Sequence, residues 1–548
     1  MKKIIFISFI LFTSFLYSQQ IDTLYILQTT DVHGNIYPYD YFLDQPADRG
    51  LAKIYTKVIE YRQHHKNVLL VDAGDAIQGT PLTYYFNKIE TDIPHPLILT
   101  MNYMGYDAFA VGNHEIEQGV FTYLRAENES DFPWLSANSA LEDGRTFFKP
   151  YTIIENNGII IGIIGLTTPG IPTMLDESLY PGIEWKDMVK TAQKFASILR
   201  PQVDVLVGLF HAGFDEKENS IRSKPKGLPN ANASGLVAKY VPEFDVIFGG
   251  HTHQIVPNDY QQGSKYKSKD KNLNKTLKIN SGFWAQNLGV AQLILKQDED
   301  NWQIISKDGW VESVQSIKPS KAILALTEYY HKKTLEYIRT EIAILSDTLR
   351  GKNFRFKDTS FIELINKAQL DYTDADISFA ACFNDELLIK PGPIKIKDIY
   401  GMYQYENFLY VVEMTGKQIK DFLEYSARYY IWDGHNVYAN PEIAGYSYDM
   451  AEGISYNINV TEEVGNRIKD PTFLKTGQLL EMNQVYKVAI NSYRASGGGG
   501  HIIAAKAENA PITFKSNEEM RNILTDYIKK IGTIIPEVDE NWKIIKGK

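Results

Sequence analysis

Val246-Ile247-Phe248-Gly249-Gly250-His251-Thr252-His253 passes from a short apolar run through two glycines into a pair of histidines spaced i, i+2. An apolar, β-branched run bounded by glycine reads as a buried strand. Glycines just past its end permit a tight turn and close backbone approach. The same pattern recurs upstream. Leu24-Tyr25-Ile26-Leu27 leads into Asp31 and His33, and Val68-Leu69-Leu70-Val71 into Asp72, Gly74 and Asp75. Ala108-Phe109-Ala110-Val111 leads into Gly112-Asn113-His114-Glu115, and residues 203–210 lead into His211. Helical stretches such as 51–64 and 185–199 lie between these runs. Strands alternating with helices predict an α/β domain, and in such domains ligands gather at the carboxyl ends of strands.

Every one of these strand ends carries a residue type that binds metal. Of the 11 histidines, His33, His114, His211, His251 and His253 occupy such positions. His64, His65, His95, His331 and His435 lack that context and read as surface or structural residues. Aspartate oxygen, imidazole nitrogen and an asparagine oxygen together suit a first-row divalent ion. Ligands at i, i+2 beyond a strand end can turn toward one ion. Two ions about 3.5–4 Å apart clamp a phosphate and activate water for in-line attack. Such a pair needs a bridging carboxylate, for which Asp75 is the natural candidate.

At 548 residues the chain exceeds one hydrophobic core, so two large domains are expected. The formal net charge of −10 excludes a sequence-independent binder of long nucleic acid. It leaves open a small phosphate substrate, because bound metal supplies positive charge locally. Cys382 is the single cysteine, which removes intrachain disulfides and cysteine-based zinc sites. Lys2 and Lys3 followed by the apolar run 4–16 read as an export signal over residues 1–18, too short for a stop-transfer helix. No cysteine follows that run, so no lipid anchor is expected. The predicted location is periplasmic or secreted, with no membrane attachment once the signal is removed.

Beyond the first domain, placed at 22–310, a charged helical segment at 318–345 reads either as a linker helix between domains or as a helix packed on one of them. The second domain, 346–548, mixes strands such as 409–414 and 486–490 with helices such as 419–430. Two of its stretches carry chemistry: Tyr403-Gln404-Tyr405-Glu406-Asn407, and Asn491-Ser492-Tyr493-Arg494 followed by Gly497–Gly500. The glycine run is no phosphate loop, because no Lys-Ser/Thr ends it. Glycines beside an aromatic let backbone approach a flat ligand, and two tyrosines can sandwich a base. With 35 tyrosines in the chain, most pack or cover surface.

In order, Asp31-x-His33, Gly74-Asp75, Gly112-Asn113-His114-Glu115, His211 and Gly250-His251-Thr252-His253 resemble the five blocks of the calcineurin-like metallophosphoesterases. The resemblance implies a β-sandwich flanked by helices and two divalent ions, with Mn, Zn, Fe or Co plausible. One ion would be held by Asp31, His33, Asp75 and His253. The other would be held by Asp75, Asn113, His211 and His251. His114 would contact the phosphate and protonate the leaving oxygen, with Glu117 either orienting it or opening the next helix. The whole chain resembles the secreted 5′-nucleotidase family, whose α+β C-terminal domain holds the nucleotide. Within it the chain is most similar to the 2′,3′-cyclic-nucleotide 2′-phosphodiesterase/3′-nucleotidases, with Tyr405 and Tyr493 at the positions that clasp the base and Asn113 near the phosphate. In the 5′-nucleotidase branch the place of His253 is often glutamine, that of Glu117 often aspartate, and an arginine stands near Phe379–Asn384 that this chain lacks. The implied activity is hydrolysis of nucleotide phosphoesters. A 5′-nucleotidase or nucleotide-sugar hydrolase is the alternative, and a catalytically silent nucleotide-binding protein the remote one.

Overall fold

The computed structural model describes residues 20–216, 228–257, 273, 275–298 and 301–547; the predicted export signal at 1–18 lies outside the described residues. Strand alternation builds the first half. Along Ile21–Thr29, Leu24 and Ile26 point to one face and Tyr25 and Leu27 to the other; Leu69/Val71 and Val68/Leu70 divide the same way in Asn67–Asp72. A strand with both faces apolar must be covered on both sides. Here two six-stranded sheets supply the inner cover. One runs in the order 301–313, 287–298, 21–29, 67–72, 108–110, 134–135, and the other 255–256, 277–281, 246–248, 205–211, 159–167, 151–156. Between them Leu24, Ile26, Leu69 and Val71 pack with Val205, Val207, Leu209 and Phe248. Helices cover the outer faces: Leu51–His64 and its neighbours pack on the first sheet, and Met188–Leu199 and Ser234–Tyr240 on the second. This is the helix-flanked sandwich that the resemblance implies.

Parallel register then brings the strand ends level. Thr29 pairs with Asp72, Asp72 with Phe109, and Leu209 with Phe248. The loops that follow strands 21–29, 67–72, 108–110, 205–211 and 246–248 therefore meet at one end of the sandwich.

The segment 318–345 is not one helix. It forms Lys321–Leu326 and Glu328–Ile338, broken at Thr327, and then the strand Glu341–Leu345. Ile323, Tyr330 and Ile338 are buried in the first half's core, so the helices pack there, while the strand pairs with 392–395 and 533–534. The second half centres on a five-stranded sheet in the order 449–452, 377–381, 485–491, 408–415, 512–519, packed with the helices Ser360–Thr373, Gly416–Ala427 and Met520–Ile531. Cys382 is buried in that core. Among the described residues no helix is long and apolar enough to cross a membrane.

Candidate metal centre and adjoining cleft

The strand-end loops are bound to one another before any ligand is considered. Asp31 N–H donates to Gly74 O at 2.8 Å, His33 N–H to Asp75 O at 3.0 Å and Gly34 N–H to Ala76 O at 2.8 Å. Glu115, fully buried, gathers two further loops. Its Oε2 accepts from the backbone N–H of Asp75 and of Gly112, each at 2.8 Å, and Oε1 from Ala76 at 2.7 Å. Gly112 is required where it stands, since a Cβ there would lie 2.2 Å from Asp75 Oδ1.

Two donor sets result. Asp31, His33 and His253 each offer an atom within 4.8 Å of the others, and so do Asp75, His211 and His251. His33 Nε2 and His253 Nε2 face each other at 3.0 Å, and His253 Nε2 lies 3.4 Å from Asp31 Oδ1. His211 Nε2 lies 3.0 Å from Asp75 Oδ2 and 3.1 Å from Asn113 Oδ1. Imidazole nitrogens turned toward one another and toward carboxylates are donors converging on a common point. Two of these rings have the other nitrogen held as well: His211 Nδ1 by Ala73 O at 2.7 Å and His33 Nδ1 by Gln78 O at 3.1 Å. A carbonyl behind the ring fixes the tautomer so that Nε2 presents its lone pair, as metal-ligating histidines require. Burial, aided by neighbouring imidazoles, holds His33 and His251 down at about 4, hence neutral. Against burial, the Asp75 carboxylate lifts His211 to about 9; that proton is the one an ion between them would displace.

The backbone is strained at these residues. Asp31, His33, Asp75, His251 and His253 all have left-handed φ, between 46° and 69°. Such conformations are uncommon outside glycine and cluster at functional sites. The donor chemistry, the held tautomers and the strain together fit divalent metal.

His114 stands at the rim. Its backbone N–H donates to Asp75 Oδ1 at 2.8 Å, its Nε2 lies 4.0 Å from Asp75 Oδ2, and its Nδ1 meets Glu117 Oε2 at 2.5 Å. Against burial, Asp75 and Glu117 raise it to about 10.

A cleft of about 430 Å³ opens beside the centre, lined by Asp75, Asn113, His114, His251 and His253 of the first half. Across it stand Tyr405 and Tyr493 of the second. Phe383 and Tyr446, which the sequence did not single out, line the same wall. Phe383 packs edge-on against Tyr405 with ring centroids 4.9 Å apart. The Tyr493 ring lies against Gly498, and Arg494 beside it is fixed by a buried ion pair to Asp449 at 2.8 Å. A polar chain crosses between the halves close to His114. Gln118 Nε2 donates to Glu406 Oε2 at 2.7 Å, and Glu406 Oε1 pairs with Arg521 at 2.6 Å. Gln118 lies outside every stretch that the sequence analysis singled out, and Glu115 and Glu406 stand inside two of them without anything that marks these ties in advance.

Comparison with known proteins agrees with this geometry. The family model described as calcineurin-like phosphoesterase matches residues 24–255, and that described as 5′-nucleotidase, C-terminal domain matches residues 339–507. The chain is 28% identical over 597 residues to a 2′,3′-cyclic-nucleotide 2′-phosphodiesterase/3′-nucleotidase of Haemophilus influenzae, covering 95% of this chain and 87% of that one. It is also 28% identical to the trifunctional nucleotide phosphoesterase protein YfkN of Bacillus subtilis, where 95% of this chain spans 39% of that longer protein. The solved structure of a 5′-nucleotidase precursor from Thermus thermophilus shares the fold, with a TM-score of 0.64 at 21% identity, covering 96% of this chain and 100% of that one.

Proposed function

We infer, from a chain that belongs to the calcineurin-like phosphoesterases over residues 24–255 and to the 5′-nucleotidase C-terminal domain family over residues 339–507, a hydrolase of 2′,3′-cyclic nucleotides and nucleoside 3′-phosphates. That the protein hydrolyses phosphoric esters follows from the family itself; the choice of nucleotide is our proposal. One observation carries it: the two donor sets and a wall of aromatic rings face each other across a single cleft. The relative from Haemophilus influenzae, named for this activity, supports the same choice.

Asp31, His33 and His253 on one side and Asp75, His211 and His251 on the other would hold two divalent ions, which would supply Lewis-acid stabilisation of the phosphate and an activated water. Asp75, beside His211 and with Asp31, His33 and His253 nearby, would be the carboxylate that serves both sets. Asn113 and His114 face the phosphate. Glu117 holds His114 Nδ1, so that Nε2 delivers its proton to the leaving ribose oxygen. Tyr405 and Tyr493 stack on the base, and the Gln118–Glu406 bond keeps the His114 helix in register with that clasp. Export by residues 1–18 would place the enzyme where extracellular nucleotides are met.

Purified enzyme reconstituted with manganese should be compared on 2′,3′-cyclic AMP, 3′-AMP and 5′-AMP. The first two should be turned over with higher kcat/KM than the third. A preference for 5′-AMP would reassign the substrate while leaving the phosphoesterase in place.

A further inference from the structure

The second half's wall of the cleft carries a third tyrosine that the clasp leaves without a task. Tyr446 lies in the single turn Gly445–Ser447, near the end of a stretch, 433–447, in which no residue is buried. Its ring is 45% exposed, yet it lines the cleft with Tyr405 and Tyr493. Its phenol stands close enough to bear on both of theirs. Burial first, and then Tyr446 and Tyr493, raise the Tyr405 hydroxyl; burial first, with Tyr446 a lesser cause and Arg494 opposing, raises that of Tyr493.

An exposed ring on a surface stretch carries no argument by itself, but this one is held from below. Arg494, 3% exposed, donates through Nε to Asp449 Oδ2 at 2.8 Å and through Nη2 to Asp449 Oδ1 at 2.9 Å. Nη2 donates also to Tyr446 O, and Nη1 to Gly498 O at 3.3 Å. One buried guanidinium therefore fixes both the Tyr446 turn and the glycine loop under the Tyr493 ring to the start of strand Asp449–Glu452. Gly445 sits so close to Arg355 that a Cβ there would lie 2.0 Å from Nη2, and Tyr448, just past the turn, is buried in the core. The backbone of the turn is pinned while its ring stays open to the cleft. Both charged side chains that the second half places on this wall are already engaged: Arg494 as above, and Glu406 with Gln118 and Arg521. A flat ligand entering there meets rings rather than free charges.

We propose that Tyr446 is a specificity-determining residue whose ring covers the edge of a base stacked between Tyr405 and Tyr493, so that the cleft selects by ring area and favours purine over pyrimidine nucleotides. The inference rests on the proposed clasp of Tyr405 and Tyr493. Stacking covers the two faces of a base and leaves its rim in water. A third ring set against that rim removes apolar edge from water and meets it in the edge-to-face manner that aromatic quadrupoles favour. A purine, with two fused rings, offers more rim than a pyrimidine.

The test is kcat/KM of wild type, Tyr446→Ala, Tyr446→Phe and Tyr493→Ala on 2′,3′-cyclic AMP, 2′,3′-cyclic UMP and bis-p-nitrophenyl phosphate, with Tm measured alongside. Wild type should favour the purine. Tyr446→Ala should lose about two- to twelvefold on 2′,3′-cyclic AMP, chiefly through KM, lose less on 2′,3′-cyclic UMP, and keep its rate on the diester and its Tm. Tyr446→Phe retains the ring and should restore the purine preference. An unchanged kcat/KM of Tyr446→Ala on 2′,3′-cyclic AMP, beside a selective loss in Tyr493→Ala, would overturn the proposal and leave the clasp standing. So would equal losses on the two nucleotides, equal losses on all three substrates, or a Tyr446→Phe as impaired as Tyr446→Ala. A Tyr493→Ala without selective loss would strike the clasp itself, and the proposal with it.

Discussion

Gly498→Ala isolates the proposed base clasp more cleanly than any tyrosine deletion. A Cβ at residue 498 would lie 2.5 Å from Cε2 and Cζ of Tyr493, where ordinary contact begins at 3.4 Å, so the ring must retreat by about 1 Å. Residues 497, 499 and 500 have φ of 101°, 71° and 81°, but Gly498 itself is not in the left-handed region, so alanine adds no backbone strain there. The whole effect passes through the ring. Base–aromatic stacking is worth roughly 1–3 kcal/mol, which is about 5- to 150-fold in kcat/KM at 1.4 kcal/mol per decade. The assay is kcat/KM on 2′,3′-cyclic AMP against bis-p-nitrophenyl phosphate, which has no base. Gly498→Ala, Tyr493→Ala and Tyr405→Ala should each lose activity on the nucleotide and keep it on the diester. The double variant Gly498→Ala/Tyr493→Ala should be no worse than Tyr493→Ala, since the two changes remove one interaction. Equal losses on both substrates would refute the clasp and make these rings supports of the fold.

The remaining predictions concern the metals, the acid and the core. Asp75→Ala should lose both ions by elemental analysis and lower activity more than His33→Ala, which should lose one; chelator should abolish turnover and a first-row ion restore it. His114→Ala should cost about 10²–10⁴-fold on nucleotides with both ions retained, and much less on a p-nitrophenyl ester, whose leaving group scarcely needs a proton; Glu117→Gln should follow the same pattern more mildly. His501 is buried beside Phe422 and Tyr425, and burial first, then Arg494 and Arg428, holds it down at about 3 although Asp449 opposes. Because its folded value is depressed below about 6.5, the native state stays neutral while the unfolded chain takes a proton. Stability is therefore full above that value and falls as pH drops toward 3, by about 2 kcal/mol at pH 5. The urea midpoint of His501→Gln should fall less between pH 7 and pH 5 than that of wild type; parallel slopes would exclude His501 as the cause.

The strand ends of the first half were legible because each is punctuated by glycine and by a residue type seldom spent idly. Two histidines at i, i+2 after Gly249-Gly250 already placed a centre at the end of a strand. The ties that hold the centre were not legible. Glu115 holds the Asp75 N–H across 40 residues, and Gln118 reaches Glu406 across 288 residues; polar side chains that act at such separations leave no local period. The aromatic wall was half legible: glycines flagged Tyr493, whereas Phe383 stands in a stretch noted only for the arginine it lacks. The 318–345 segment reads as a continuous helix because its charge pattern does not interrupt at Thr327. Its break follows from packing Ile323 and Tyr330 against the first half, which propensity does not encode.

Each donor set draws on both ends of the first half: Asp31 and His33 with His253, and Asp75 with His211 and His251. No shorter stretch of chain can hold either set, because the strands that carry them belong to different sheets joined only when the sandwich closes. An ion that needs either set would therefore bind only after residue 253 has been synthesised and the two sheets have met. Affinity for divalent ions follows a fixed order that favours copper, and a centre assembled this late samples only what surrounds the folded protein. The ion such a centre takes would then depend on where the chain completes folding.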